Sequence, residues 1–235
     1  MLTVAVLAGG LATRLRPLTT TIPKSMIEIH GQPFVHWQLR LLAQQGFKKV
    51  VFCLAYKSEI ICDFVGDGTK YGLKVSYSYD GDQQLGTGGA ITKALPLLGK
   101  RFMVLYGDSY LPVDFRLIED VFNQSRMPGL MTVFQNDGKF DASNVVFSDG
   151  YVRRYAKGEV SKDMRYVDYG LSCFDSSAFH PAHKNVPLDL GQICSELATQ
   201  GLMAGHEVKE RFYEIGSFKG IEDFREYVER YQNVL

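Results

Sequence analysis

Continuous apolar runs and helix-spaced apolar stripes alternate along the first half of the chain. Thr3 to Ala8 is a β-prone run closed by Gly9-Gly10, the pattern of a strand buried on both faces. From Phe34 to Gln45 the residues Phe34, Val35, Leu39, Leu42 and Ala43 recur at helical spacing; Pro33 suits the first helical position and Gly46 a stop. Lys49 to Ala55 reads as a second buried strand, Ser58 to Val65 as a helix and Leu73 to Tyr79 as an alternating strand. Gly89 to Leu98 reads as a helix and Phe102 to Tyr106 as a fourth buried strand, ending at Gly107-Asp108. Strands alternating with helices predict a parallel sheet covered on both faces.

The second half changes character. Leu130 to Phe134, Asn144 to Phe147, Val152 to Ala156 and Leu171 to Phe174 are short β runs separated by turns such as Asn136-Asp137-Gly138 and Ser148-Asp149-Gly150. They predict antiparallel strands added to the sheet edge, or a lid over its carboxyl ends. Leu190 to Thr199 and Ile221 to Tyr231 read as closing helices. Nothing between residues 100 and 200 resembles a linker, so one domain over 1–235 is expected.

Composition narrows the function. With 235 residues, 46% hydrophobic and 22% charged, the chain is that of an ordinary globular domain. Lys plus Arg and Asp plus Glu are 26 each, so the net charge is zero and the footprint of a non-specific nucleic-acid binder is missing. Any polyanion must therefore be met by locally concentrated charge. No run is long enough to span a bilayer, and Leu2 to Ala8 lacks the basic flank of a signal peptide. Cys53, Cys62, Cys173 and Cys194 have no CxxC spacing and read as buried thiols, so a cytoplasmic protein is expected, with no nucleic-acid or membrane partner. His180 and His183 lack a completing carboxylate and Pro181 opposes a helix there, so a loop pair is expected rather than zinc.

In open α/β sheets ligands bind outside the carboxyl ends of the strands, which points to the loops after Ala8, Tyr79 and Tyr106. The first loop belongs to LAGGLATRLRPLTTTIPKSM, residues 7–26. Its glycines allow backbone N–H groups near phosphate oxygens, and Arg14 and Lys24 supply charge. A loop of this length without regular structure is usually functional. The segment resembles the signature of the sugar-1-phosphate nucleotidylyltransferases, GGxGTRLxPxTxxxPKxM, with Gly9, Gly10, Thr13, Arg14, Leu15, Pro17, Thr19, Pro23, Lys24 and Met26 in register. Ala12 stands where the family has its third glycine.

Further segments carry the same resemblance. LGTGGAI, residues 85–91, resembles the family's second glycine-rich turn, and YGDSYL, residues 106–111, the strand-end Gly-Asp whose aspartate holds Mg²⁺. YVDYGLSCF, residues 166–174, resembles the sugar-binding strand, and RFYEIGS, residues 211–217, the segment giving the second metal carboxylate, with Glu214 for the usual aspartate. RYAK, residues 154–157, falls where relatives have an E-K pair on the sugar phosphate; Lys157 matches and Ala156 does not. DGDQQ, residues 80–84, lies where relatives discriminate the base: Gln83 could pair with uracil or thymine, and Asp80 or Asp82 could accept from guanine.

The resemblance implies an α/β, GT-A-like Rossmann-type domain with a mostly parallel mixed sheet and short antiparallel additions. Residues 1–108 would form the nucleotide part and 109–235 the sugar part and closing helices. The implied reaction joins an NTP, GTP or UTP, to a sugar 1-phosphate, giving NDP-sugar and pyrophosphate, with Mg²⁺ as cofactor and a homodimer as a possible assembly. The members most resembled are the heptose 1-phosphate guanylyltransferases and N-acetylmuramate 1-phosphate uridylyltransferases. Arg14 and Lys24 would be catalytic, on the leaving pyrophosphate and the α-phosphate. Leu7, Ala8, Gly9, Gly10, Thr13, Gln83, Gly86 and Thr87 would complete the nucleotide site. Gly107, Lys157, Asp168 and Gly170 would hold the sugar phosphate, and Asp108 and Glu214 the metal. The competing expectations are a non-catalytic nucleotide-sugar sensor on the same fold, or an enzyme for a non-sugar phosphate.

Overall fold

The computed structural model describes residues 1–10, 13–136, 142–159, 161–179 and 187–231. Leu11, Ala12, Asp137, Gly138, His180 and His183, singled out above or flanking such residues, lie outside these. The first half runs β1 (Thr3–Leu7), β2 (Glu28–Ile29), β3 (Gln32–Pro33), α1 (Phe34–Gln44), β4 (Lys49–Leu54), α2 (Ser58–Val65), β5 (Lys74–Tyr79), α3 (Gly86–Leu98) and β6 (Arg101–Tyr106). After it come β7 (Ser109–Tyr110), α4 (Phe115–Ser125), β8 (Gly129–Gln135), β9 (Val145–Ser148), β10 (Tyr151–Tyr155) and β11 (Tyr166–Asp175). The chain then forms α5 (Leu190–Thr199), β12 (Met203–Val208), β13 (Tyr213–Glu214) and α6 (Phe218–Tyr231).

The main sheet has nine strands in the order β5-β4-β1-β6-β11-β8-β12-β10-β9. β5, β4, β1 and β6 are mutually parallel, as the sequence predicts. In the second half β11 is antiparallel to both β6 and β8, the antiparallel addition at the edge of the parallel strands that the sequence predicts, whereas β12, parallel to β8, is an unpredicted strand. β9 and β10 form the antiparallel edge.

Alternation along each strand feeds two cores. Val4 and Val6 of β1 and Met103 and Leu105 of β6 meet α1, α2, α4 and α6 on one face. Ala5, Phe102 and Val104 meet α3 and α5 on the other. Pro33 is the extended residue just before α1 (φ −67°, ψ 150°), not its first helical residue as expected, while Gly46 ends the helix region at φ +84°. Asp114 caps α4 by accepting the N–H groups of Arg116 and Leu117. All four cysteines are free thiols; Cys53, Cys173 and Cys194 are buried, but Cys62 is only partly so, with its sulfur 3.3 Å from the Tyr79 hydroxyl. No helix among the described residues is long and apolar enough to cross a membrane.

Candidate active site

The parallel strands end along one edge, where each is tied to its neighbour as the chain leaves the sheet. Ala8 N–H donates to Cys53 O (3.0 Å), Asp80 N–H to Leu54 O (2.9 Å) and Gly107 N–H to Leu7 O (2.9 Å). Beyond these ties opens a pocket of about 340 Å³. Its wall includes Leu7, Ala8, Gly9, Gly10, Lys24, Gly86, Thr87, Gly107 and Asp108, all expected from the sequence, and also Ser25, Cys53, Asp80, Gln84, Ala90 and Tyr106.

Lys24 opens a 3-10 turn, Lys24–Met26, and its Nζ donates to Asp108 Oδ2 at 2.8 Å. Both side chains are about a quarter exposed (21% and 31%), so the pair is neither fully screened nor fully desolvated. Asp108 sits in the turn between β6 and β7. The β7–β13 pairing sets Glu214 opposite Ser109, and Ile215 N–H donates to Asp108 O at 2.9 Å, so the two carboxylates predicted as metal ligands are brought to one place. Burial pushes the Glu214 carboxyl above its ordinary range, and the Asp108 charge adds to this. Lys24, the Gly216 N–H and Arg14 act in the opposite direction. Two carboxylates with no third His, Cys, Asp or Glu, among the described residues, form a donor set that suits Mg²⁺. That ion takes one or two protein carboxylates and fills its octahedron with water and substrate phosphate oxygens.

Arg14 is exposed, in the 3-10 turn Thr13–Leu15, within electrostatic reach of Glu214 but outside the pocket wall. The glycine-rich turn has a structural reason beyond ligand approach. Leu188 O accepts from Gly88 N–H (2.8 Å) and Gly89 N–H (3.2 Å), so these amides at the start of α3 are already engaged. A Cβ on Gly86 (φ +76°) would stand 2.5 Å from Leu188 O. Thr87 Oγ1 accepts from Leu190 N–H at 2.8 Å. α3 therefore begins earlier than the sequence suggests.

In the loop expected to read the base, one of the three named candidates, Asp80, lines the wall. Gln83 and Asp82 are exposed and lie off the wall, while Asp80 and Gln84 line it. Asp80 Oδ2 accepts from Leu85 N–H (2.9 Å), and burial pushes its carboxyl up.

The sugar-side residues lie away from the pocket wall, apart from Gly107. Asp168 stands at the irregularity in the β11–β8 register, where its Oδ1 accepts from Gly170 N–H (3.0 Å) and its Oδ2 from the Tyr155 hydroxyl (3.4 Å). Burial pushes its carboxyl up; the Gly170 N–H and Lys157 oppose the shift. Gly170 has φ +101° and faces Tyr106 and Ser109. Lys157, expected on the sugar phosphate, donates to Asp189 Oδ1 (3.2 Å), the N-cap of α5. Gly107 has no room for a side chain: a Cβ would lie 2.8 Å from Leu7 O and 2.9 Å from Ala8 Cβ.

A family model described as nucleotidyl transferase matches residues 3–230. The chain belongs to that family. The chain is 41% identical over 111 residues to N-acetylmuramate alpha-1-phosphate uridylyltransferase of Neisseria meningitidis serogroup B, covering 47% of this chain and 48% of the relative. It is 35% identical over 122 residues to D-glycero-alpha-D-manno-heptose 1-phosphate guanylyltransferase of Campylobacter jejuni, covering 52% and 53%. The aligned stretches thus span about half the length of these relatives. Among solved structures, HddC from Yersinia pseudotuberculosis complexed with GMP-PN superposes with a TM-score of 0.82 at 25% identity, over 97% of this chain and 99% of that one. The mixed α/β sheet is accordingly the GT-A-like one expected.

Proposed function

We propose that this nucleotidyl transferase joins a nucleoside triphosphate to a sugar 1-phosphate. The observation that carries the reading is the meeting of Lys24 with Asp108 at the wall of the strand-end pocket, with Glu214 delivered beside them by β13. A phosphate oxygen of the sugar 1-phosphate attacks the α-phosphorus, the bond to the β-phosphate oxygen breaks, and pyrophosphate leaves. No covalent nucleophile is needed, so the chain positions two mutually repelling anions and neutralises developing charge.

Lys24 serves the α-phosphate and Arg14 the departing pyrophosphate. Leu7, Ala8, Gly9 and Gly10 offer backbone to the nucleotide, and Gly86 and Thr87 wall it from the α3 side. Asp108 and Glu214 would hold Mg²⁺, which when bound lowers the charge barrier between the reacting phosphates. On the sugar side Asp168 and Gly170 flank Tyr106, and Lys157 is available once it leaves Asp189. The base is keto-bearing: Asp80 suits guanine N–H donors, and Gln84 suits uracil. The HddC structure is complexed with GMP-PN, a guanine nucleotide, which supports the first.

A pyrophosphate-release screen of the four common NTPs against a panel of sugar 1-phosphates tests this. Turnover is expected with GTP or UTP. Exclusive use of CTP would overturn the base assignment and favour a non-sugar acceptor, and turnover with no pair would favour a sensor.

A further inference from the structure

Gln38 lies on α1, one turn after Phe34 and one before Leu42, so it is a polar residue in the core-facing stripe of that helix. It is 1% exposed. Its Nε2 donates twice, to Tyr106 O at 2.9 Å and to Ser109 O at 2.7 Å. Both partners are carbonyl acceptors, so only the amide NH₂ end can face them. Those carbonyls bracket Gly107-Asp108: Tyr106 ends β6, and Ser109 opens β7 in register with Glu214.

The other end of the amide is stranded. Gln38 Oε1 is buried and meets no hydrogen-bond donor among the described residues. Gln45, at the C-cap of the same helix, shows the contrast: its Nε2 donates to Val113 O (2.8 Å) and its Oε1 accepts from Phe115 N–H (2.8 Å), satisfying both ends. Two ordinary hydrogen bonds and a buried unpaired carbonyl largely offset each other in stability, so holding the fold is not what sets this amide apart. Its distinctive contribution is geometric.

We propose that Gln38 is a positioning residue: its bidentate amide fixes the 106–109 turn, and thereby sets Asp108 and, through the Ser109–Glu214 register, the second carboxylate for the divalent cation. This rests on the metal-assisted reading above. Groups that orient a ligand residue without touching the ion commonly carry a large share of metal affinity.

The test uses the full chain as wild type, Gln38→Met, which keeps length and removes the donors, and Gln38→Asn, which keeps the amide but is too short to bridge both carbonyls. Mn²⁺ binding is titrated by electron paramagnetic resonance with a non-hydrolysable NTP analogue present, alongside urea unfolding, kcat and the KM for NTP. Expected are folded variants with cooperative unfolding at a modestly lowered midpoint, Mn²⁺ affinity weakened by about 10- to 100-fold, and a matching fall in kcat with little change in KM. Folded variants that bind Mn²⁺ as wild type does would overturn the proposal, and so would unfolding of both variants, which would assign Gln38 to the core. Absence of Mn²⁺ binding by wild type would overturn it too. A wild type that binds Mn²⁺ yet turns over no substrate pair would sink the reaction proposed above, while the Gln38 comparison would still decide the present inference.

Discussion

Lys24 and Asp108 stand 84 positions apart in sequence and meet at 2.8 Å, a lysine from the loop after β1 resting on an aspartate from the turn after β6. The lysine assigned to phosphate and the aspartate assigned to metal thus neutralise each other before any ligand arrives. Substrate phosphate and cation would then replace this contact together, each taking one partner.

Lys24→Ala and Arg14→Ala should each lower turnover by ~10²–10³ with the fold intact, the usual loss when a preorganised charge contact to a transition state is removed. Circular dichroism and steady-state pyrophosphate release check this. Near-normal activity in either folded variant would remove that residue from the phosphate machinery.

Asp108→Asn and Glu214→Gln should be strongly non-additive, because losing either carboxylate already disables the same ion. Glu214→Asp should be impaired and partly recover with Mn²⁺. A double-mutant cycle on turnover at two Mg²⁺ concentrations reads this out, and simple additivity would sink the shared-metal assignment.

Gly107→Ala should destabilise the protein by ~1–3 kcal/mol, the range for forced overpacking, since the new Cβ would press on Leu7 O and Ala8 Cβ where two parallel strands end. Urea unfolding measures it. An unchanged midpoint would show that the loop after β1 relaxes freely.

Asp168 gives stability a pH dependence. Burial raises its folded-state pKa above the unfolded value, so between the two the native state holds a proton that the unfolded state has released. This group's contribution to stability therefore falls as pH rises from the unfolded pKa, about 4, through the raised folded value, and stays low above it. Asp168→Asn retains an acceptor for Gly170 N–H and should melt higher than wild type near pH 7.5, with the advantage shrinking toward pH 4. Thermal melts across that range decide it; a difference constant with pH would contradict the account.

Much of the site was legible because its chemistry lies on strand ends that short apolar runs announce. Lys24, Asp108 and the backbone of Leu7 to Gly10 all fall on the pocket wall. What sequence reading missed arises from long-range pairing. β12 was unseen because Met203-Ala204-Gly205 is weakly β-prone, although β8 holds it in parallel register from Met203 to Val208. α4 was unseen although Asp114 caps it and Phe115, Ile118 and Phe122 follow at helical spacing. Gln83 was named and Gln84 was not, although the two are the same residue type, and sequence cannot tell which neighbour in a turn lines the wall. The signal for Gln38 was present as a glutamine in an otherwise apolar stripe, but its partners are carbonyls some 70 positions away.

The most direct test of the reaction is mass spectrometry of products formed from GTP or UTP with a sugar 1-phosphate and Mg²⁺, comparing wild type with Asp108→Asn. Equal amounts of NDP-sugar and pyrophosphate from wild type, and almost none from the variant, are predicted. Tight nucleotide binding by wild type with no NDP-sugar formed from any pair would contradict the account.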